Sequence, residues 1–179
     1  MLRKFLFGML VMGLICSGFG ELPLARACAG YTLSVGTDGS QRQELLAQIM
    51  SELIRQRTGT KIRLVRFKFQ VELLEAAKRK EVDLLVVVTT QPATVKNDLF
   101  LEGRLRLLKP FGYQDFQVMP AFQTETLKRF PALQRLLNRL AGIIDDATLL
   151  RLEEELAAGT DLRAAAKKFL TEQKLIFGS

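Results

Sequence analysis

Apolar and polar residues alternate in Tyr31–Val35 and again in Lys61–Arg66, the period of two that predicts β-strands. Between them the period changes. Leu45, Leu46, Ile49, Met50 and Leu53 recur at helical spacing, with Asp38 or Ser40 as N-cap and Gly59 as C-terminal stop. A second helix carries Val71, Leu74 and Ala77 on one face and runs into Lys80. Val82–Val88 is almost continuously apolar, as a central strand buried on both faces should be. This β-α-β-α-β order predicts a mostly parallel sheet with right-handed crossovers, flanked by helices.

Thr89–Gly103 is the most loop-like stretch. Two further strands are expected at Arg104–Lys109 and Phe116–Phe122. The C-terminal third then turns helical. Leu133, Leu136, Leu137 and Leu140 form one apolar stripe, ending at Gly142. Leu149, Leu152 and Leu156 form the next, capped by Asp145 or Asp146, and Leu162, Ala166, Phe169 and Leu170 form the last, starting at Thr160.

Ahead of the first strand lies a different pattern. Arg3 and Lys4 precede 12 uncharged residues, Phe5–Cys16, and Ala25-Arg26-Ala27 supplies a small-x-small cleavage pattern. Residues 1–27 therefore read as a signal peptide, because the apolar run falls short of the ~20 residues that span a bilayer. An uncleaved anchor is the alternative. Residues 28–179 form a single α/β lobe in the periplasm or cell envelope. Removal of the leader leaves Cys28 as the only cysteine, so no internal disulfide is available. Cys28 would also be the first mature residue, the position of a lipid anchor, although Ala25 and Arg26 fit a lipoprotein cleavage site poorly.

Composition narrows the chemistry. The chain has no His, so the commonest general base and metal ligand are both missing, which points away from an enzyme and from a metal centre. No cofactor motif is visible. The net charge is +7; Arg3, Lys4 and Arg26 against Glu21 give the leader +2 and leave +5 for the lobe. The densest basic run, Lys78-Arg79-Lys80, is flanked by Glu75 and Glu81 and reads as a solvated helix face, not a nucleic-acid surface.

One arrangement has binding potential. The strand–turn–helix with Thr37, Asp38, Gly39 and Ser40 brings a helix start and its free N–H groups beside polar side chains, an arrangement suited to an anion such as a carboxylate. A capped helix without a ligand explains the same residues. Phe111, Tyr113, Phe116 and Phe122 form an aromatic cluster that serves either as core or as a cage for a quaternary ammonium.

The C-terminal half carries a more specific pattern: Phe130-Pro131-Ala132-Leu133, Leu136 to Gly142, Ile144-Asp145-Asp146 to Leu149, and Ala165 to Leu170. This ending resembles that of the substrate-binding component of osmoprotectant ABC importers, which bind glycine betaine, choline and related quaternary amines. The first half is similar too, in Gly36-Thr37, the Gln43-bearing helix and Val82-Asp83-Leu84. The resemblance implies a periplasmic-binding-protein-like fold, a small zwitterionic or quaternary-amine solute and an importer membrane subunit as partner. It places ligand contacts at Thr37, Asp38, Gly39, Ser40 and Gln43, with Tyr113 or Phe116 nearby. Members of this family fold as two lobes, and Thr89–Gly103 stands where the second should be inserted; a homodimer could supply the missing wall. Asp38 and Ser40 replace the Lys and aromatic residues of the family's first turn, and Leu85–Val88 replaces a Tyr-rich segment. Two functions follow as expectations: a solute-binding component, or a remnant of one, and an envelope protein-binding module that kept the fold without the ligand.

Overall fold

A computed structural model of the chain describes residues 30–89, 102–111 and 117–177. The expected signal peptide, Cys28 and most of the Thr89–Gly103 stretch lie outside them. Five strands form one sheet: β1 (Thr32–Thr37), β2 (Lys61–Arg66), β3 (Leu84–Thr89), β4 (Leu105–Leu107) and β5 (Gln117–Gln123), in the order β2-β1-β3-β5-β4. The β1–β2 and β1–β3 pairings are parallel, whereas β3–β5 and β5–β4 are antiparallel. The sheet is therefore mixed, with parallel pairing confined to the β-α-β-α-β half.

Helix α1 (Gln41–Thr58) covers one face of the sheet and α2 (Gln70–Lys78) the other. The alternation in β3 explains how both fit. Leu84 and Val86 join α1 in the larger core, while Leu85 and Val87 join Leu73, Ala76 and Ala77 of α2 in the smaller one. The α2 face differs from expectation: Leu73, Ala76 and Ala77 are buried, whereas Val71 is 70% exposed. Leu73 with its i+3 and i+4 neighbours sets the inward stripe, and Val71 falls on the opposite side of the first turn.

Every described element after β5 is helical: α3 (Thr124–Arg129), α4 (Ala132–Asn138), a 3₁₀ turn at Leu140–Gly142, α5 (Asp146–Ala157) and α6 (Leu162–Glu172). Their Leu133, Leu137, Leu140, Leu149, Leu152, Phe169 and Leu170 complete the α1-side core, so these stripes are interior. Asp145 caps α5 by accepting from the Thr148 N–H at 2.8 Å, and Asp161 caps α6. Phe111 and Phe122 are core residues. The Lys78-Arg79-Lys80 run is exposed, with ion pairs to Glu75, Glu81 and Glu125.

Candidate functional site

The sheet order places a switch point beside β1. From β1 the chain crosses through α1 to β2 on one side, then through α2 to β3 on the other, with the two helices on opposite faces. Loops at the carboxyl ends of such strands diverge and leave a crevice, the usual ligand position in open α/β sheets. The residues there are Thr37, Asp38, Gly39 and Ser40.

Two glycines shape this turn. Gly36 packs so closely that a Cβ would collide with Leu73 Cδ1 and lie 2.9 Å from Val82 Cγ1. Gly39 takes φ +82°, a left-handed conformation that favours glycine. The turn is then tied by side chains. Ser40 N–H donates to Asp38 Oδ1 at 3.0 Å, Gln43 Nε2 donates to Asp38 Oδ2 at 2.8 Å, and Asp38 N–H donates to Gln43 Oε1 at 3.1 Å. Gln43 is fully buried. Ser40 occupies the N-cap position but makes no capping bond with its side chain.

This arrangement alters the expected chemistry. The Asp38 carboxylate already occupies the helix start and takes the Ser40 amide, so the turn presents negative charge. Such a rim suits the cationic end of a solute better than its carboxylate. Thr37 is 4% exposed and lies against the side of α1, while Gly39 and Ser40 face solvent. The structure thus brings Thr37, Asp38, Gly39, Ser40 and Gln43 together. Tyr113 and Phe116 lie outside the described residues. Phe69, 65% exposed, follows β2 on the same edge of the sheet, unremarked in the sequence because it falls between two elements. Among the described residues no cluster of acidic or Cys side chains is arranged to hold a metal.

At the opposite edge sits a polar knot centred on Asp83. Its Oδ1 accepts from Tyr31 Oη at 2.7 Å and Thr126 Oγ1 at 2.8 Å, and its Oδ2 accepts from Ser34 N–H at 2.8 Å. Burial and the Asp83 carboxylate raise the Tyr31 hydroxyl above its ordinary pKa. The Arg129 guanidinium stacks 4.9 Å from the Tyr31 ring centre. A small cleft of about 220 Å³ opens there, yet both oxygens of Asp83 already accept from donors of its own chain. We assign this knot to holding β1, β3 and α3 together.

A β-α-β-α-β unit with a polar turn at its switch point defines a small-molecule-binding α/β lobe. The chain matches the substrate-binding domain of the ABC-type glycine betaine transport system over residues 67–172, and it belongs to that family. No curated protein matches it by sequence. Its fold is similar to a solved glycine betaine/carnitine/choline ABC transporter protein, with a TM-score of 0.69 and 9% identity, covering 80% of this chain and 99% of that one. It is likewise similar to ligand-free YehZ from Escherichia coli, with a TM-score of 0.70, 11% identity and the same coverage. The expected periplasmic-binding-protein-like fold and solute-binding family are thereby established. Among the described residues, no helix is long and apolar enough to cross a membrane.

Proposed function

We propose that this chain is an exported solute-binding component of a quaternary-amine ABC import system, working from one α/β lobe and without catalysis. The observation that carries the reading is the family match, on a lobe whose switch-point turn is tied into shape by Asp38 and Gln43. Residues 1–27 are removed on export, and residues 28–179 meet the solute outside the cytoplasm. Only residues 90–101 separate β3 from the turn before β4, far fewer than the ~50 residues of a second lobe. A second copy of the chain, or the importer membrane subunit, then supplies the other wall of the cleft.

In this reading Asp38 attracts the quaternary ammonium, Tyr113 or Phe116 is its aromatic partner, and Thr37, Gly39, Ser40 and Gln43 keep the turn in place. A fixed carboxylate disfavours a second carboxylate nearby, so choline, a plain cation, binds more tightly than glycine betaine. Calorimetry on residues 28–179 with choline, carnitine, glycine betaine and proline tests this. Choline binding that falls about tenfold or more in Asp38→Asn supports the assignment. Silence across the panel from a folded chain transfers support to the protein-binding module. That second reading has its own observation: Val86 and Val87, in the segment that replaces the family's Tyr-rich stretch, are core residues.

A further inference from the structure

Strand β2 is an outer strand: it pairs with β1 on one side, and no described strand pairs with its other side. Between this edge, α1 and the start of α6 runs a groove with two parts that meet at Leu64, a residue 46% exposed. The upper part, about 320 Å³, is walled mainly by Ala47, Leu64, Val65 and Leu162. The lower part, about 210 Å³, is polar and holds Ser51, Arg55 and Arg163 beside Ile62.

Ser51 is the second observation. Its side chain is 5% exposed and lines the lower part, and among the described residues its Oγ is the one buried side-chain polar atom with no hydrogen-bond partner. A buried hydroxyl without a partner is costly, and a ligand oxygen would satisfy it. The charge of the groove selects that ligand. Arg66 of β2 lines the upper part and Arg55 and Arg163 the lower, while Lys61 and Arg63 alternate onto the other face of the strand, where Arg63 donates to Ser34 Oγ. The acidic residues on the groove are already paired, Glu44 with Arg66 and Glu52 with Arg55 and Arg163. β2 carries three cations and no acid, so two copies paired edge to edge would bring only like charges together. Like charges directly opposite destabilise a strand pair.

We propose that this groove takes an extended acidic segment of a partner protein, added as a strand on β2. Its backbone bonds to the free edge, as in other strand-addition complexes. One apolar side chain fills the space between Ala47 and Leu162. Two positions away, on the same face of the strand, an Asp or Glu accepts from Ser51 Oγ–H and pairs with Arg55 and Arg163. This surface adjoins the solute site at Thr37, which lines the upper part, but it needs neither Asp38 nor a quaternary amine.

The test is selection of short peptides on the full chain from a library fixed as acidic–x–apolar in both orders, followed by binding assays. Selected peptides are expected to bind more weakly as salt rises and to protect the Lys61–Arg66 amides from hydrogen exchange. Ser51→Ala should weaken them roughly tenfold, the loss of one hydrogen bond to a charged group. Leu64→Lys, at a half-open position, should abolish binding while the circular dichroism spectrum stays native. Failure to select any binder would overturn the proposal, as would peptides that bind both variants as well as the original. Self-association of the chain that protects the same amides and disappears in Leu64→Lys would assign the edge to a second copy instead.

Discussion

Replacing Asp83 tests whether the knot at the far edge of the sheet is a device of folding. In Asp83→Ala three donors lose their acceptor: Tyr31 Oη, Thr126 Oγ1 and the Ser34 N–H. The two hydroxyls border a cleft of about 220 Å³ and regain water in part. The Ser34 amide does not, because Ser34 is 5% exposed. A stranded buried donor costs about 1–3 kcal/mol, and each lost bond to a charged acceptor contributes at most a similar amount once water competes. The sum is about 3–5 kcal/mol, a large share of the ~5–15 kcal/mol that stabilises a domain. Asp83→Asn is the sharper control. Its amide oxygen faces Ser34 N–H while its NH₂ donates to the two hydroxyls, which rotate to accept, so only the charge is lost, at about 1 kcal/mol. Urea unfolding followed by circular dichroism reads both variants. At roughly 2–4 °C per kcal/mol for a chain of this size, the Ala variant melts about 10 °C lower and the Asn variant about 3 °C lower. Solute binding by the Asn variant stays unchanged, because Asp83 and the Asp38 turn lie at opposite ends of β1. Equal stability of the two variants would refute the reasoning, for it would mean that Ser34 N–H finds another partner.

Two other perturbations probe the frame of the site. Gly36→Ala drives a Cβ into Leu73 Cδ1 and Val82 Cγ1, and overpacking of this kind costs about 1–3 kcal/mol; adding Leu73→Val should recover part of it in thermal melts. Glu52 is 1% exposed: burial raises its pKa, but hydrogen bonds from Arg55 and Gln56 and the charges of Arg55 and Arg163 outweigh that and hold it below the ordinary 4.5. A depressed carboxyl contributes stability above the unfolded-state value and loses it as pH falls through the folded one. Glu52→Gln should therefore be less stable at neutral pH, by about 2 kcal/mol. It should also lose less stability than the original chain between pH 5 and pH 3 in urea titrations.

The parts of the fold that were legible in the sequence are those that local periodicity controls. The alternation in Lys61–Arg66 marks the bounds of β2, and Gly59 ends α1 in the left-handed conformation expected of it. Strand direction is another matter. β5 pairs antiparallel with both neighbours and carries Pro120, whose missing N–H faces Leu108 just past the end of β4, so no bond to β3 is lost. Nothing local in Gln117–Gln123 encodes that position; it follows from how the chain returns to the sheet. The site divides in the same way. Thr37 to Ser40 could be placed because turn and helix-start signals are local. The role of Asp83 is not legible locally, since its partners Tyr31, Ser34 and Thr126 are 52, 49 and 43 residues away. Ser51 reads as an ordinary helix residue until the groove beside it is seen.

The two ends of the lobe use the same device for different purposes, and that bears on function. At one end an aspartate takes donors from the β1 segment and from α3 and fixes the frame. At the other, Asp38 is held by two residues of its own turn, Ser40 and Gln43, and remains half-exposed. A carboxylate kept in a fixed direction by neutral donors, with water on its outer side, keeps its attraction for a cation that brings its own second wall. A single wall shields that attraction poorly, because water beside the pair keeps the local dielectric high. In the proposed reading, affinity for a quaternary amine rises with whatever closes the crevice. If a second copy does so, binding should steepen with protein concentration; if the importer subunit does so, it should appear only in the assembled complex.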